Sequence, residues 1–236
     1  LESGDFDHDG DMDFVAGNWG LNTPFRCSTE EPMSLYFADF DKNGKLDPIF
    51  SCYEDGKSYP VPSLDYMVEQ MPILKKKFLH YSEYSSATTD ELIEMFDVKN
   101  FPKLYCKTLA STYLKNNGDG TFDLEELPQA AQVAPLFDTK VLDINKDGNL
   151  DILGIGNFYW TDVVIGKYDA LKGLTMLGDG LGNFKTVDLD KSGFVVDSDA
   201  RTFATLKTTD NQSLFIVSQI LDSLKIFKQN KIIKRD

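Results

Sequence analysis

The chain is poor in the residues that most often mark catalytic or disulfide-built proteins. Of 236 residues only three are cysteine (Cys27, Cys52 and Cys106), with no CxxC pair, and only two are histidine, His8 and His80. Three thiols are too few for a disulfide scaffold, and two imidazoles do not suit a histidine-rich zinc centre. No run approaches the ~18 apolar residues of a membrane-spanning helix. Positive charge is scarce too, with 24 basic against 38 acidic side chains and a formal net charge of −14. Phosphate binding needs clustered Lys and Arg, so nucleic acid is excluded as a partner and cations are favoured. Apolar residues at 42% and aromatics at 12% supply a packed core, which separates the chain from acidic disordered tails. The chain opens Leu1-Glu2-Ser3-Gly4-Asp5 and enters a loop motif at once, without a signal-peptide apolar region. The expectation is a piece of a longer, exported chain.

What the sequence does have is a repeat. The nine-residue pattern D-x-[DN]-x-[DN]-G-x-x-D occurs three times. Its copies are Asp5, Asp7, Asp9, Gly10, Asp13; then Asp39, Asp41, Asn43, Gly44, Asp47; then Asp143, Asn145, Asp147, Gly148, Asp151. An apolar, strand-like run follows each copy and precedes the second and third, so each loop reads as a connection between adjacent strands. A second signal, [ND]-G-x-G-[TN]-F, appears as Asn117–Phe122 and as Asp179–Phe184, with the positive-φ residues of tight hairpins. Phe122 and Phe184 lie 62 residues apart, a period suited to one four-stranded blade of a β-propeller. Carried forward from Asp143, it predicts a degenerate copy over 207–215, where Lys207 and Phe215 replace the end carboxylates. Strands are expected there over Leu214–Val217 and Leu224–Phe227.

Two spacings need further features. Asp39 lies 83 residues before Phe122, whereas Asp143 lies 41 before Phe184. The excess predicts a helical insertion at about 62–108, where Leu64, Met67, Val68, Met71, Leu74 and Phe78 recur at helical spacing. Thr88-Thr89-Asp90-Glu91 reads as a capping box there. The first two loops are only 34 residues apart, which implies a reduced blade or an outer hairpin replaced by 22–32.

Side chains at loop positions 1, 3 and 5 can converge on one centre, glycine at 6 permits the turn, position 7 offers a carbonyl, and position 9 returns a carboxylate. All-oxygen ligation suits a hard cation, and its flexible geometry favours Ca²⁺. The expected ligands are Asp5, Asp7, Asp9, Asp13 and the Asp11 carbonyl; Asp39, Asp41, Asn43, Asp47 and the Lys45 carbonyl; and Asp143, Asn145, Asp147, Asp151 and the Asn149 carbonyl. About three calcium sites follow. An EF-hand needs Glu at position 12, and Ala16, Phe50 and Gly154 stand there instead.

The loops, the strands after them and the N-G-x-G-x-F hairpins resemble the FG-GAP or VCBS repeat, related to the blades of the integrin α-chain N-terminal propeller. A narrower resemblance is carried by Asp13-Phe14-Val15-Ala16-Gly17-Asn18-Trp19-Gly20-Leu21-Asn22, by Lys76-Lys77-Phe78-Leu79-His80-Tyr81 and by Ile165-Gly166-Lys167-Tyr168-Asp169-Ala170. These are similar to large bacterial VCBS-repeat proteins with CRTAC/ASPIC-like propellers, mostly exported and often outer-membrane lipoproteins. The resemblance implies an all-β propeller, seven-bladed in the full protein with about four blades here.

The function expected is recognition or adhesion at the cell surface, toward a protein or glycan ligand, without catalysis. Two alternatives stand beside it: a structural subunit of an outer-membrane complex docking through the helical insertion, and a calcium-dependent polysaccharide-active enzyme. Neither histidine stands beside a Ser or Cys nucleophile in a recognisable motif. Trp19 and Trp160 are expected in the core, or else stacked on a sugar ring or a peptide. Cys27 and Cys52 are weighed as a cross-strand pair and Cys106 as a buried apolar residue. Asn211-Gln212-Ser213 is a weak glycosylation signal.

Overall fold

The apolar runs around the nine-residue loops form strands, as alternation and turn chemistry require. The computed structural model describes residues 1–210 and 212–229. In chain order they form β1 (Glu2–Gly4), β2 (Asp13–Ala16), β3 (Met33–Ala38), β4 (Asp47–Glu54) and β5 (Lys57–Pro60). Four short helices come next: α1 (Leu64–Gln70), α2 (Leu74–Lys77), α3 (Tyr81–Ser86) and α4 (Thr89–Glu94). Then come β6 (Lys103–Cys106), β7 (Thr112–Asn116), β8 (Phe122–Glu126), β9 (Leu136–Leu142), β10 (Asp151–Gly156), β11 (Leu174–Gly178) and β12 (Phe184–Thr186). Helix α5 (Leu189–Ser192) precedes β13 (Ala200–Lys207), β14 (Ser213–Gln219) and β15 (Lys225–Lys228). The fold is all-β in class: four antiparallel sheets with a few short helices.

The sheets fall into two compact units, one made of Leu1–Pro24 and the chain from Ala110 on, the other of Phe25–Leu109. In the first unit, β9 to β12 form a sequential four-stranded meander, β1-β2-β7-β8 a second sheet and β13-β14-β15 a third. Strand β10 joins them. All six of its residues are buried, with Ile152 in the cluster of Phe6, Val15, Tyr113 and Met176, and Leu153 and Ile155 in that of Phe194, Val196, Phe203 and Phe215. Side chains alternate faces along a strand, so a strand covered on both faces reads as an unbroken apolar run. Burying a side chain such as Ile152 contributes about 1.5–3 kcal/mol. The strands expected after the degenerate copy are β14 and β15; Asn211, the acceptor of the sequon, lies outside the described residues.

The second unit is a sheet in the order β5-β4-β3-β6, in which β3 and β4 flank the second nine-residue loop. Its core collects Leu64, Met67, Met71, Leu74 and Phe78 with Tyr36, Phe40 and Ile49, and Val68 packs at its edge. Those are the helical-spacing residues. Thr88 caps α4, receiving the Glu91 amide on its hydroxyl while the Glu91 carboxylate takes the Thr88 amide. His80, read as the end of a helical stretch, instead precedes α3 as its N-cap, with the Glu83 carboxylate on its amide.

Strand pairing gives the odd spacings a different origin from the one expected. The hairpin Asn117–Phe122 does not follow the second loop in a blade. Its strands β7 and β8 continue the sheet of the first loop, with Val15 opposite Tyr113 and Ala16 opposite Thr112. The chain between β2 and β7 leaves that sheet and folds as Phe25–Leu109, with strands and a loop of its own. The helices at 64–94 are only the middle of that segment. The 34-residue spacing thus reflects two loops in two different units, so neither a reduced blade nor a replaced hairpin is needed.

This topology predicts that Phe25–Leu109 is dispensable for the first unit's sheets. A chain with 25–109 replaced by a short Gly-Ser linker should keep a β-type circular dichroism spectrum and a cooperative melt. A spectrum without strand signal would contradict it.

Candidate metal centres

Each nine-residue loop closes by the same hydrogen bonds, set by residue type at each position. The amide at position 2 (Phe6, Phe40, Ile144) donates to the carboxylate at position 9 (Asp13, Asp47, Asp151) at 3.1, 2.9 and 2.8 Å. The glycine amide at position 6 donates to the position-1 carboxylate of Asp5, Asp39 and Asp143 at 3.2, 2.8 and 3.0 Å. The position-7 amide of Asp11, Lys45 and Asn149 donates to the side chain of Asp9, Asn43 and Asp147. The left-handed φ falls on two residues per loop: His8, Lys42 and Lys146 at 59°, 60° and 59°, and Gly10, Gly44 and Gly148 at 94°, 86° and 92°. Glycine adopts that region freely, whereas the residue at position 4 bears about 1–2 kcal/mol of strain. The apolar side chain at position 2 anchors the bend: Phe6, Phe40 and Ile144 are all buried.

The position-9 aspartates are the most deeply placed of the group. Asp13, Asp47 and Asp151 are 0%, 1% and 0% exposed. Asp13 accepts from the Asn116 amide at 2.8 Å and the Tyr113 hydroxyl at 2.8 Å as well as from Phe6, and Asp151 accepts from the Gly178 amide at 3.0 Å. The loop is thereby tied to the strand beside it. Burial pushes the Asp47 carboxyl above the usual carboxylate range, against the amides of Phe40 and Asp41 and with the Asp41 and Asp39 charges adding to the rise. Burial raises Asp151 likewise, with Asp147 adding, while the Gly178, Ile144 and Asn145 amides oppose it. In both, the surroundings disfavour the charged form, and a cation bound beside the carboxylate would favour it.

Two of the loops bring three carboxylates together. Oxygens of Asp5, Asp7 and Asp13 lie within 4.8 Å of one another, as do those of Asp39, Asp41 and Asp47, and either group could hold a metal ion. Asp5 Oδ1 is buried with no hydrogen-bond partner, so one carboxylate oxygen of this group of residues is left unsatisfied. An all-oxygen donor set with orphaned lone pairs fits a hard cation. Asp9 lies outside the first group, and the Asn43 amide oxygen takes the Lys45 amide at 2.8 Å. In the third loop no such three-carboxylate group forms among the described residues; instead the Asn145 Nδ2 donates to Asp147 Oδ2 at 2.7 Å. Asp11, Lys45 and Asn149 were expected to offer carbonyls, and the contacts seen for their backbone are through the N–H.

The loops differ in counter-charge. The Lys115 ammonium lies 2.6 Å from Asp7 Oδ2, and this contact holds the Asp7 carboxyl below its usual range. Among the described residues no lysine or arginine pairs with Asp39, Asp41 or Asp47; Lys42, in the same loop, reaches Asp97 at 3.5 Å. Sequence reasoning missed Lys115 because it lies on β7, beyond the inserted unit. It also missed Tyr113, whose hydroxyl burial and Asp13 push strongly upward in pKa. Tyr113 further forms an edge-to-face trio with Phe6 and Phe184, at centroid distances of 5.4–5.7 Å. The hairpin phenylalanine of one sheet therefore packs on the loop of the next.

His8, expected to point outward, places Nε2 3.0 Å from Asn149 Oδ1, joining the first and third loops. Trp19 packs edge-to-face on Phe158 and Tyr168 at 5.7 and 5.3 Å, whereas Trp160 is exposed. No helix among the described residues is long and apolar enough to cross a membrane. No family model, curated protein or solved structure matches the chain.

Replacing the Tyr113 hydroxyl tests how the first loop is held. Tyr113→Phe removes a hydrogen bond to a buried carboxylate and should cost about 1.5–3 kcal/mol, read as a lower denaturant midpoint at unchanged slope.

Proposed function

We propose that the chain is a calcium-stabilised segment of an FG-GAP/VCBS-type β-propeller, serving as a recognition or adhesion module at the cell surface. The observation that carries the calcium reading is the identical closure of three loops, two with converging carboxylates and one of those with an orphaned buried oxygen. Stacked antiparallel sheets in the first unit, each loop joining two neighbouring strands, support the propeller reading. In this reading calcium is structural. It offsets the crowded negative charge and fixes the strand connections, and a protein or glycan ligand binds a surface that those connections hold in place.

The second loop is the strongest site, because among the described residues no lysine or arginine pairs with its three carboxylates. The first is contested by Lys115, and the third has amide oxygen in place of one carboxylate. A second functional reading rests on the inserted unit, where Leu79, just before α3, and Tyr81, its first residue, stand 77% and 64% exposed. There the inserted unit docks a partner in an outer-membrane complex. Loss of a co-purifying protein when 25–109 is removed would select it.

Thermal melts test the calcium reading. At 1 mM Ca²⁺, sites with Kd near 10 μM stabilise by about 2.7 kcal/mol each, so Tm should exceed that in EDTA by at least about 5 °C. Asp39→Asn should remove the second loop's share of the rise and leave that of the first. Lys115→Met should cost up to about 1 kcal/mol in EDTA yet enlarge the rise, because it vacates Asp7. Equal Tm in calcium and EDTA would remove the ion from the account.

A further inference from the structure

The three cysteines all lie in the inserted unit, and the sheet order distributes them unevenly. Cys52 is on β4 opposite Tyr59, while Cys106 is the last residue of β6, opposite Met33 on β3. Strands β4 and β6 flank β3 on opposite sides. Cys27 precedes β3 in the chain, the Ser28 amide donates to the Glu31 carbonyl at 3.1 Å and turns the segment between them, and the Met33 amide, at the strand position that faces Cys106, is the backbone group that bears on the Cys27 thiol. Cys106 is the thiol that neighbours Cys27, by charge and as a side-chain partner, while its own Sγ–H donates to the Thr108 carbonyl at 3.2 Å. The neighbours that bear on Cys52 are its own burial and Glu54, not a second thiol. The pairing weighed from sequence, Cys27 with Cys52, is therefore not the one the fold brings together.

The two thiols also occupy matching places in the chain. Cys27 is two residues past Phe25, where the unit begins, and Cys106 three before Leu109, where it ends. All three cysteines are partly buried and none is bonded. We propose that Cys27 and Cys106 are a disulfide site that closes the inserted unit at its base, while Cys52 stays a free thiol. The proposal stands apart from the calcium reading, since no loop ligand takes part.

The reaction needs a disulfide oxidant, for which oxidised glutathione suffices. One thiolate attacks glutathione disulfide, forming a mixed disulfide and releasing one glutathione; the second thiolate then displaces the other. One S–S bond forms in the protein and one breaks in the oxidant. The two thiol protons are released to solvent and taken up by the departing glutathione thiolates. The Cys27 thiol is pushed up to about 11, first by burial and then by the Cys106 thiol beside it. Cys27 is therefore overwhelmingly protonated at neutral pH, and the exchange should run faster at pH 8.5 than at pH 7. A bond between these positions encloses nearly the whole unit, and a loop of about 80 residues removes much entropy from the unfolded chain.

The test uses the full chain, incubated with oxidised glutathione at pH 8.5 or with dithiothreitol, alkylated, and digested with trypsin without reduction. Cleavage after Arg26, Lys42, Lys103 and Lys107 separates peptide 27–42 from 104–107, and Cys52 lies in 46–57. The expected result is a linked pair of 27–42 with 104–107, two hydrogens lighter than the sum of the free peptides, with Cys52 alkylated or as a glutathione adduct. The oxidised form should melt at least about 5 °C above the reduced form. In Cys106→Ser, Cys27 should be recovered alkylated or as a glutathione adduct and the gain lost. Recovery of 27–42 and 104–107 as separate alkylated peptides from the oxidised wild-type chain, or a link from 27–42 to 46–57, would overturn the proposal.

Discussion

The structure depends on a buried carboxylate at the end of each nine-residue loop. Asp13, Asp47 and Asp151 are nearly inaccessible, and each accepts the amide of the apolar residue seven positions earlier. That bond turns an acidic segment back on itself between two strands. It also draws the remaining carboxylates toward the buried one, because positions 1 and 3 lie on the same inner curve. Carboxylates this close repel, and burial deepens the cost, as the upward shifts of Asp47 and Asp151 record. A counter-charge is the simplest relief. Lys115 supplies one at Asp7 from a neighbouring strand, and a divalent ion would supply it more completely.

The same loops serve two architectures. In the first unit they join strands of sheets stacked in series, with β10 buried on both faces. In the second the loop sits within a sheet whose fourth strand arrives after four helices. A loop that carries its own closing bonds, its own glycine and its own apolar anchor needs only two antiparallel strands to join. That modularity explains how one sequence pattern recurs in units whose strand order differs.

Much of this was legible in the residues. The loops, the strands around them, the two Gly-rich hairpins and the Thr88 capping box follow from local chemistry: which residues tolerate positive φ, which cap helix ends, and which alternate between faces. The spacing between loop and hairpin misled, because it assumes that neighbouring segments in sequence share a sheet. Phe122 belongs with Asp5 rather than Asp39, and that is a fact about strand pairing across an inserted unit. Lys115 and Tyr113 were invisible for the same reason, being 108 and 100 residues from the carboxylates they touch. The nearness of Cys27 to Cys106, rather than to Cys52, likewise depends on β6 pairing with β3 after the helices. The anchoring role of Phe6, Phe40 and Ile144 had a local signal: each is the apolar residue directly after the first aspartate of its loop.

The central claim is that the converging carboxylates exist to hold ions, and counting those ions tests it most directly. Equilibrium dialysis against 1 mM Ca²⁺, with bound metal measured by mass spectrometry, should return at least two ions per chain. Fewer than two would contradict the account and leave the loops as self-closing turns.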